Sequence, residues 1–283
     1  MADGAWQDWV GRSQTLRDTV AAFPARALAL TLNHANGQAL TEGDALPAIW
    51  TWMNFLPLSL MSEVDHDGHP RRGGFLPPIE LPRRMWAGSR CAFEAPVRIG
   101  DSIERTSTIT KIAEKSGAAG PMVLLTMAHE VRANGVVAMR EEQDLAFIAI
   151  AERFTPPAPA PLPPCDWREA IAIDPVMLFR FSALTFNGHR IHYDRSYATE
   201  VERYPGLVVH GPLQAILLFN AALRRAPEGA RPAHLQFRGM RPLFDFDAIT
   251  LNGRTDENGE LHLYTANGED LIGMQARVRW TTA

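Results

Sequence analysis

The sequence predicts an α+β protein that makes one motif twice, a helix wrapped by a curved antiparallel sheet. Three observations carry this expectation. A proline-rich stretch, TPPAPAPLPPCD from Thr155 to Asp166, holds six prolines and divides the chain near its middle. Prolines at that density deny the backbone both helix and central strand and leave an extended connector. On either side of it, a helical pattern precedes a series of alternating segments. The halves also share a local pattern. Phe93 is followed eight residues later by Asp101 in FEAPVRIGD, and Phe237 is followed eight residues later by Asp245 in FRGMRPLFD. Residues 1–154 then form an N-terminal half, 155–166 a linker and 167–283 a C-terminal half.

The elements follow in order. Ser13 is placed to cap a helix through Leu32, because SQTLRDTVAAFPARALALTL carries apolar residues at helical spacing, with a kink expected at Pro24. Strands follow at Ser89–Pro96, Asp101–Glu114, Val123–Ala133 and Val136–Ala151, where apolar and polar residues alternate. The second half opens on an ordered segment, Asp174–Thr185, and then an irregular excursion. A helix is expected over Pro212–Arg224, then strands at His234–Pro242, Ala248–Thr255, Leu261–Ala266 and Ile272–Trp280. A helix followed by antiparallel strands, done twice, is the double hotdog arrangement.

Composition excludes several classes. The 283 residues are 46% hydrophobic, enough for a sizeable core, with no apolar run of membrane-spanning length. Met1–Arg12 lacks the layout of a signal peptide, so a cytoplasmic protein is expected. No basic run suits nucleic acid. Lys111 and Lys115 are the only lysines and lie in a polar stretch, which leaves Schiff-base chemistry without a well-placed amine. Cys91 and Cys165 are too far apart for a metal knuckle, and no phosphate-binding glycine loop occurs, so no cofactor is expected. His66 and His69 have ligand-like spacing but no third ligand in sequence, and metal is not expected. Glu141 and Glu142 read as a solvated pair at a strand edge.

Polar functionality concentrates between two apolar segments, from Phe181 to His210: FSALTFNGHRIHYDRSYATEVERYPGLVVH. This stretch resembles the type-2 enoyl-CoA hydratases, the MaoC-like dehydratases. Their motif has an aspartate, a variable residue, asparagine, proline, an aliphatic residue and histidine, then a variable residue, aspartate and a later alanine. That register puts Asn187 at the aspartate, His189 at the asparagine, Arg190 at the proline and His192 at the histidine; Asp194 and Ala198 continue it. His210-Gly211 matches the His-Gly pair that leads into the central helix. SALTFNGHRIHYD, RRGGFLPPIELPRRMWAGSR and VVAMREEQDLAFI resemble one subgroup, the type-2 hydroxyacyl-thioester dehydratases with the mesaconyl-C4-CoA and itaconyl-CoA hydratases.

The resemblance implies a hydro-lyase acting on a CoA thioester as a homodimer or larger homo-oligomer. In this subgroup the substrate is a branched C5 dicarboxylic enoyl-CoA going to citramalyl-CoA. A dehydratase of straight-chain 3-hydroxyacyl thioesters, a thioesterase and a non-catalytic acyl-CoA-binding protein are the alternatives. The chemistry fits the residues independently. Adding water to the β-carbon develops charge on the thioester oxygen, which suits N–H groups at a helix N-terminus, here opened by Gly211. His192 is of the type that takes and returns a proton near neutral pH. Asn187 does not ionise and is cast as holding the water. Asp194 reads as a hydrogen-bond acceptor within the loop. His189 either supports the loop or lines the pocket, with His210 beside it. A carboxylated substrate needs a cation, for which Arg190, Arg71, Arg72 and Arg84 are candidates. The first half has no counterpart of Asn187–His192, so it is expected to be non-catalytic and to shape the acyl pocket, with His69–Trp86 as its wall.

Overall fold

The computed structural model describes residues 6–117 and 120–281. Its strands are β1 Ser13–Thr19, β2 Ala45–Leu46, β3 Arg83–Phe93, β4 Val97–Arg98, β5 Ser102–Gly117, β6 Gly120–Ala133, β7 Val136–Ile148, β8 Trp167–Ile171, β9 Arg231–Gly239, β10 Ile249–Thr255, β11 Leu261–Ala266 and β12 Ile272–Thr281. The α-helices are α1 Ala22–Thr31, α2 Pro175–Leu184 and α3 Gly211–Leu223.

Ten strands form one antiparallel sheet in the order β1-β5-β6-β7-β3-β9-β12-β11-β10-β8, and β2 pairs with β4 apart from it. The order is symmetric about the β3–β9 seam, where Ser89 faces Phe237 and Cys91 faces Leu235. Outward from the seam, β7, β6, β5 and β1 answer β12, β11, β10 and β8. Cys91 and Leu235 are separated by the same interval as Phe93 and Phe237, so the repeated pattern and the sheet share one axis. The α+β double hotdog is therefore the architecture observed.

α3 is the central helix. Every residue from Leu213 to Ala222 is buried, as expected of a helix enclosed by a curved sheet. Burying each of its large apolar side chains contributes about 1.5–3 kcal/mol. The first half is filled differently. Its sheet carries a small second core of Ile79, Ile109, Leu125, Leu145 and Phe147, with Phe75, Leu76, Leu81 and Trp86 packed on it. These covering residues come from the segment around His69–Trp86.

The expected helix Ser13–Leu32 is corrected. Its first part is edge strand β1, paired along β5 from Ser13↔Thr108 to Thr19↔Ser102. Cross-strand contacts such as Thr15 with Thr106 at 2.9 Å and Arg17 with Glu104 at 2.8 Å outweigh a marginal helical spacing. Pro24 is the third residue of α1, where the N–H has no helical partner, so it starts the helix and does not kink it. Strand β8 also escaped the sequence reading; it pairs with β10 at the opposite edge. The proline stretch is laid against the start of β12, with Leu162 N donating to Asp270 O and Ile272 N to Ala160 O.

Glu141 and Glu142 do not form a solvated pair. Alternation along β7 sends them to opposite faces. Glu141 is buried and accepts from Trp52 Nε1 at 3.1 Å, while Glu142 is exposed and pairs with Arg90. Lys111 and Lys115 are exposed, and Cys91 is buried. Among the described residues, no helix is long and apolar enough to cross a membrane.

Candidate active site

α2 is capped by Asp174, whose carboxylate accepts from Met177 N at 2.8 Å, with Pro175 at its first position. Beyond Leu184 the chain turns through Phe186 at positive φ and enters Asn187–His192. The Asn187 Oδ1 accepts from His189 N at 3.0 Å, an Asx turn that shapes the loop. Arg190–His192 form a single 3-10 turn.

His192 is buried and tightly held. Its Nδ1–H donates to Val208 O at 2.7 Å, which fixes the tautomer and leaves Nε2 with a lone pair and no partner among the described residues. The ring stacks on His210 with centroids 3.6 Å apart and meets His189 edge-on at 5.6 Å. Burial, then the neighbouring His210 and His189, holds its pKa well below the usual histidine range. That environment favours the neutral imidazole, whose Nε2 lone pair is the available acceptor. His210 is fully enclosed, bonded through Nε2 to Ser182 Oγ at 2.9 Å, and burial pushes its pKa down to about 3. It touches His192, not open space.

Gly211 opens α3 directly after His210. Pro212 has no N–H, and among the described residues the N–H groups of Gly211 and Leu213 have no acceptor. A Cβ at Gly211 would lie 3.6 Å from Trp86 O and 3.9 Å from Met274 Cε, ordinary contact distances, so an alanine would fit there without a clash.

The first half reaches into this site. The backbones of Gly68 and Gly188 touch: a Cβ on Gly68, which has φ +92°, would stand 1.8 Å from Gly188 O. Only glycine permits that approach. Arg190 N donates to Asp67 O at 2.9 Å, and the Arg190 guanidinium donates to His66 O at 3.1 Å. The clasp puts Asp67 and His69 against His189. Asp67 Oδ1 accepts from His69 N at 2.8 Å and Oδ2 from His69 Nδ1–H at 2.9 Å, and the His69 ring lies 4.3 Å from that of His189. His189 Nε2 is buried without a hydrogen bond, 3.8 Å from the Glu202 carboxylate that pairs with buried Arg83. Sequence reasoning missed Asp67, Glu202 and Ser182, and named His69 only for its spacing from His66 and, with Arg83, as part of the expected pocket wall His69–Trp86. His66 is exposed and bonded to Asp65.

Asp67, His69 and His189 are the third-ligand set absent from the sequence pattern, with donor atoms within 4.8 Å of one another. Arg84 acts electrostatically on both Asp67 and His69, and its positive charge there opposes a divalent cation. The arginines differ sharply. Arg190 is paired with Asp194 at 2.7 Å and lies over Tyr197. Asp194 also accepts from Tyr197 N, the loop-acceptor role expected of it. Arg72 donates to the carbonyls of Ile79, Leu81 and Pro82. Arg71 is exposed. Among the described residues the Arg84 guanidinium makes no hydrogen bond or ion pair; burial pushes its pKa down to about 10, partly offset by Asp67. A cavity of about 600 Å³ elsewhere, lined by Arg90, Thr106, Arg140 and Glu142, includes no residue of Phe181–His210.

A ten-stranded double hotdog with a histidine beside the N-terminus of its central helix defines a class, the hotdog hydratases and dehydratases. Solved relatives share the fold: a MaoC-like dehydratase (14% identical, TM-score 0.72, covering 99% of this chain and 100% of that one) and HtdX of Mycobacterium tuberculosis (17%, 0.68, 95% and 100%). The chain belongs to the hydroxyacyl-thioester dehydratase type 2 family, whose model matches residues 49–245. It is 42% identical to mesaconyl-C4-CoA hydratase of Chloroflexus aurantiacus over 95% of both chains. It is 26% identical to the mitochondrial hydroxyacyl-thioester dehydratase type 2 of Schizosaccharomyces pombe, over 81% of this chain and 86% of that one.

Proposed function

We propose that this protein reversibly hydrates a branched C5 dicarboxylic enoyl-CoA, mesaconyl-C4-CoA or itaconyl-CoA, to citramalyl-CoA. The observation that carries the reaction type is the neutral His192, its Nε2 free, stacked on the residue that precedes the unpaired N–H groups of α3. With mesaconyl-C4-CoA, whose double bond is conjugated to the thioester, His192 Nε2 takes a proton from water as the water oxygen bonds to the β-carbon. The π electrons move to the thioester oxygen, where the Gly211 and Leu213 N–H groups stabilise the enolate. His192 then returns the proton to the α-carbon. Asn187 spends its Oδ1 on the loop and keeps Nδ2 to hold the water oxygen.

The end-to-end relation to a mesaconyl-C4-CoA hydratase supports the substrate class. Arg84 fits the carboxylate clamp best of the four candidate arginines, because Arg190 and Arg72 are committed to protein groups and Arg71 lies in solvent. The first half shapes the acyl pocket, and the reading includes a cytoplasmic homo-oligomer. The yeast relative favours a second reading, dehydration of straight-chain 3-hydroxyacyl thioesters. Loss of enoyl-thioester absorbance with mesaconyl-C4- and crotonyl-CoA, and chromatographic detection of citramalyl-CoA from itaconyl-CoA, separate the two. Preference for a dicarboxylic substrate is expected; preference for crotonyl-CoA would favour the second reading.

A further inference from the structure

Water that attacks a β-carbon needs two acceptors for its O–H bonds, one that takes a proton and one that holds the remaining hydrogen. In this site the motif segment offers one acceptor that is not already engaged by the protein. His192 Nε2 is an acceptor, but position 187, where the family's motif has an ionisable carboxylate, holds an amide whose only acceptor atom is already bonded to His189 N. His210 is sealed behind His192, and His189 Nε2 is buried toward Glu202.

The loop clasped onto the site by Gly68 and Gly188 carries the right group. Asp67 receives both the backbone N–H and the Nδ1–H of His69, so the tautomer is fixed and His69 Nε2 is left as a lone pair with no partner among the described residues. His69 keeps some exposure, 17% of its side chain, so that lone pair is not sealed in. Two imidazoles, one backed by a carbonyl and one by a carboxylate, thus both lie against the His189 ring, each with an Nε2 that has no partner among the described residues.

We infer that the Asp67–His69 pair, contributed by the first half of the chain, is part of the hydration site, with His69 Nε2 accepting the second O–H of the attacking water. This rests on the proposed hydratase reading. In the step, one water proton goes to His192 Nε2 and later to the α-carbon. The other stays on oxygen, hydrogen-bonded to His69, and becomes the product hydroxyl proton. Asp67 is a positioning residue that keeps His69 an acceptor; His69 touches the reacting water. Neutral His69, with its pKa pushed by burial and by Arg84 down to about 3, is consistent with an acceptor.

The test compares wild type, His192→Ala, His69→Ala, Asp67→Asn and the double variant His69→Ala/Asn187→Asp on mesaconyl-C4-CoA. His69→Ala is expected to lower kcat by roughly 10²-fold with KM nearly unchanged, the size of effect of a lost water-holding acid–base group. Asp67→Asn, which lets the ring flip its tautomer and turn Nε2 into a donor, is expected to lower kcat at least as much with an unchanged Tm. Restoring a carboxylate at position 187 in the His69→Ala background is expected to recover kcat by about tenfold, which a merely structural role for His69 would not produce. Near-normal kcat in folded His69→Ala and Asp67→Asn, or no recovery in the double variant, overturns the inference while the hydratase reading stands. Loss of wild-type activity on chelation also overturns it, because these side chains would then be holding a cation. An inactive wild type would instead fail the hydratase reading itself.

Discussion

His192, Asn187 and Arg84 can be separated by kinetics. His192→Ala is expected to lower turnover by about two to four orders of magnitude without unfolding the protein. A folded variant with near-normal turnover would remove His192 from the mechanism. Asn187→Ala is expected to cost less, since it removes a donor to the water and the Asx-turn bond to His189 N but no proton-transferring group. Asn187→Asp should keep activity with a changed pH profile, and equal, complete losses in all three variants would give position 187 a different role. Arg84→Ala is expected to damage hydration of mesaconyl-C4-CoA far more than that of crotonyl-CoA, because only the former carries a carboxylate for a guanidinium to grip. A loss of the same size on both substrates would make Arg84 a CoA or structural contact. Sequence alone ranked Arg190 first, on the absence of the motif's proline. It did not contain the fact that Asp194, one helical turn on, engages that guanidinium.

Between elements, the informative feature is the crossing of two loops at Gly68 and Gly188. Gly68→Ala combines a positive φ with a contact to backbone that cannot yield, so the loops must part. The expected outcome is a folded protein with kcat reduced at least about tenfold, since misplacement by about 1 Å at a reacting centre has large effects. Wild-type turnover in that variant would mean that the clasp does not matter. α3 offers the contrasting case. Leu218 is fully buried, and Leu218→Ala is expected to cost about 2–5 kcal/mol of stability in chemical denaturation, through lost burial and the cavity left behind. The boundaries of α3 were legible because its apolar run and His-Gly start are local. Those of β1 were not, because what makes Ser13–Thr19 a strand is β5, about ninety residues away in sequence.

For the whole molecule, the row of buried histidines makes stability depend on pH. His69 and His210 are held down to about 3 and His192 is also lowered, against about 6.5 in the unfolded chain. Below about pH 6.5 the unfolded state therefore binds more protons than the folded one, so stability is full above that pH and falls steadily as pH drops toward about 3. The acid limb of activity moves the same way: the base form of His192 persists below the ordinary histidine range, so kcat/KM stays flat through about pH 6.5 and declines on the acid side. Thermal melts and rate profiles across this range check both. A Tm that does not change between about pH 7 and pH 4 would contradict the burial of these rings.

Composition, alternation and the proline stretch determined by themselves that the chain is an α+β protein with two similar halves. The Phe181–His210 segment alone was enough to nominate His192, because its turn, its motif and the helix that follows are contiguous. Local chemistry of this kind is written in spacing. Tertiary structure decided what depends on distant segments: which arginine is left without a partner, that Glu141 faces inward, and that Asp67 and His69 meet His189 across more than a hundred residues. Those relations arise from two glycine backbones in contact and from the symmetric joining of β3 to β9, and neither leaves a periodic trace in the sequence. A hydrogen bond between loops is fixed by where a sheet carries them, which is why the local geometry of Asn187–His192 was legible in advance and the contact with the Asp67–His69 loop was not.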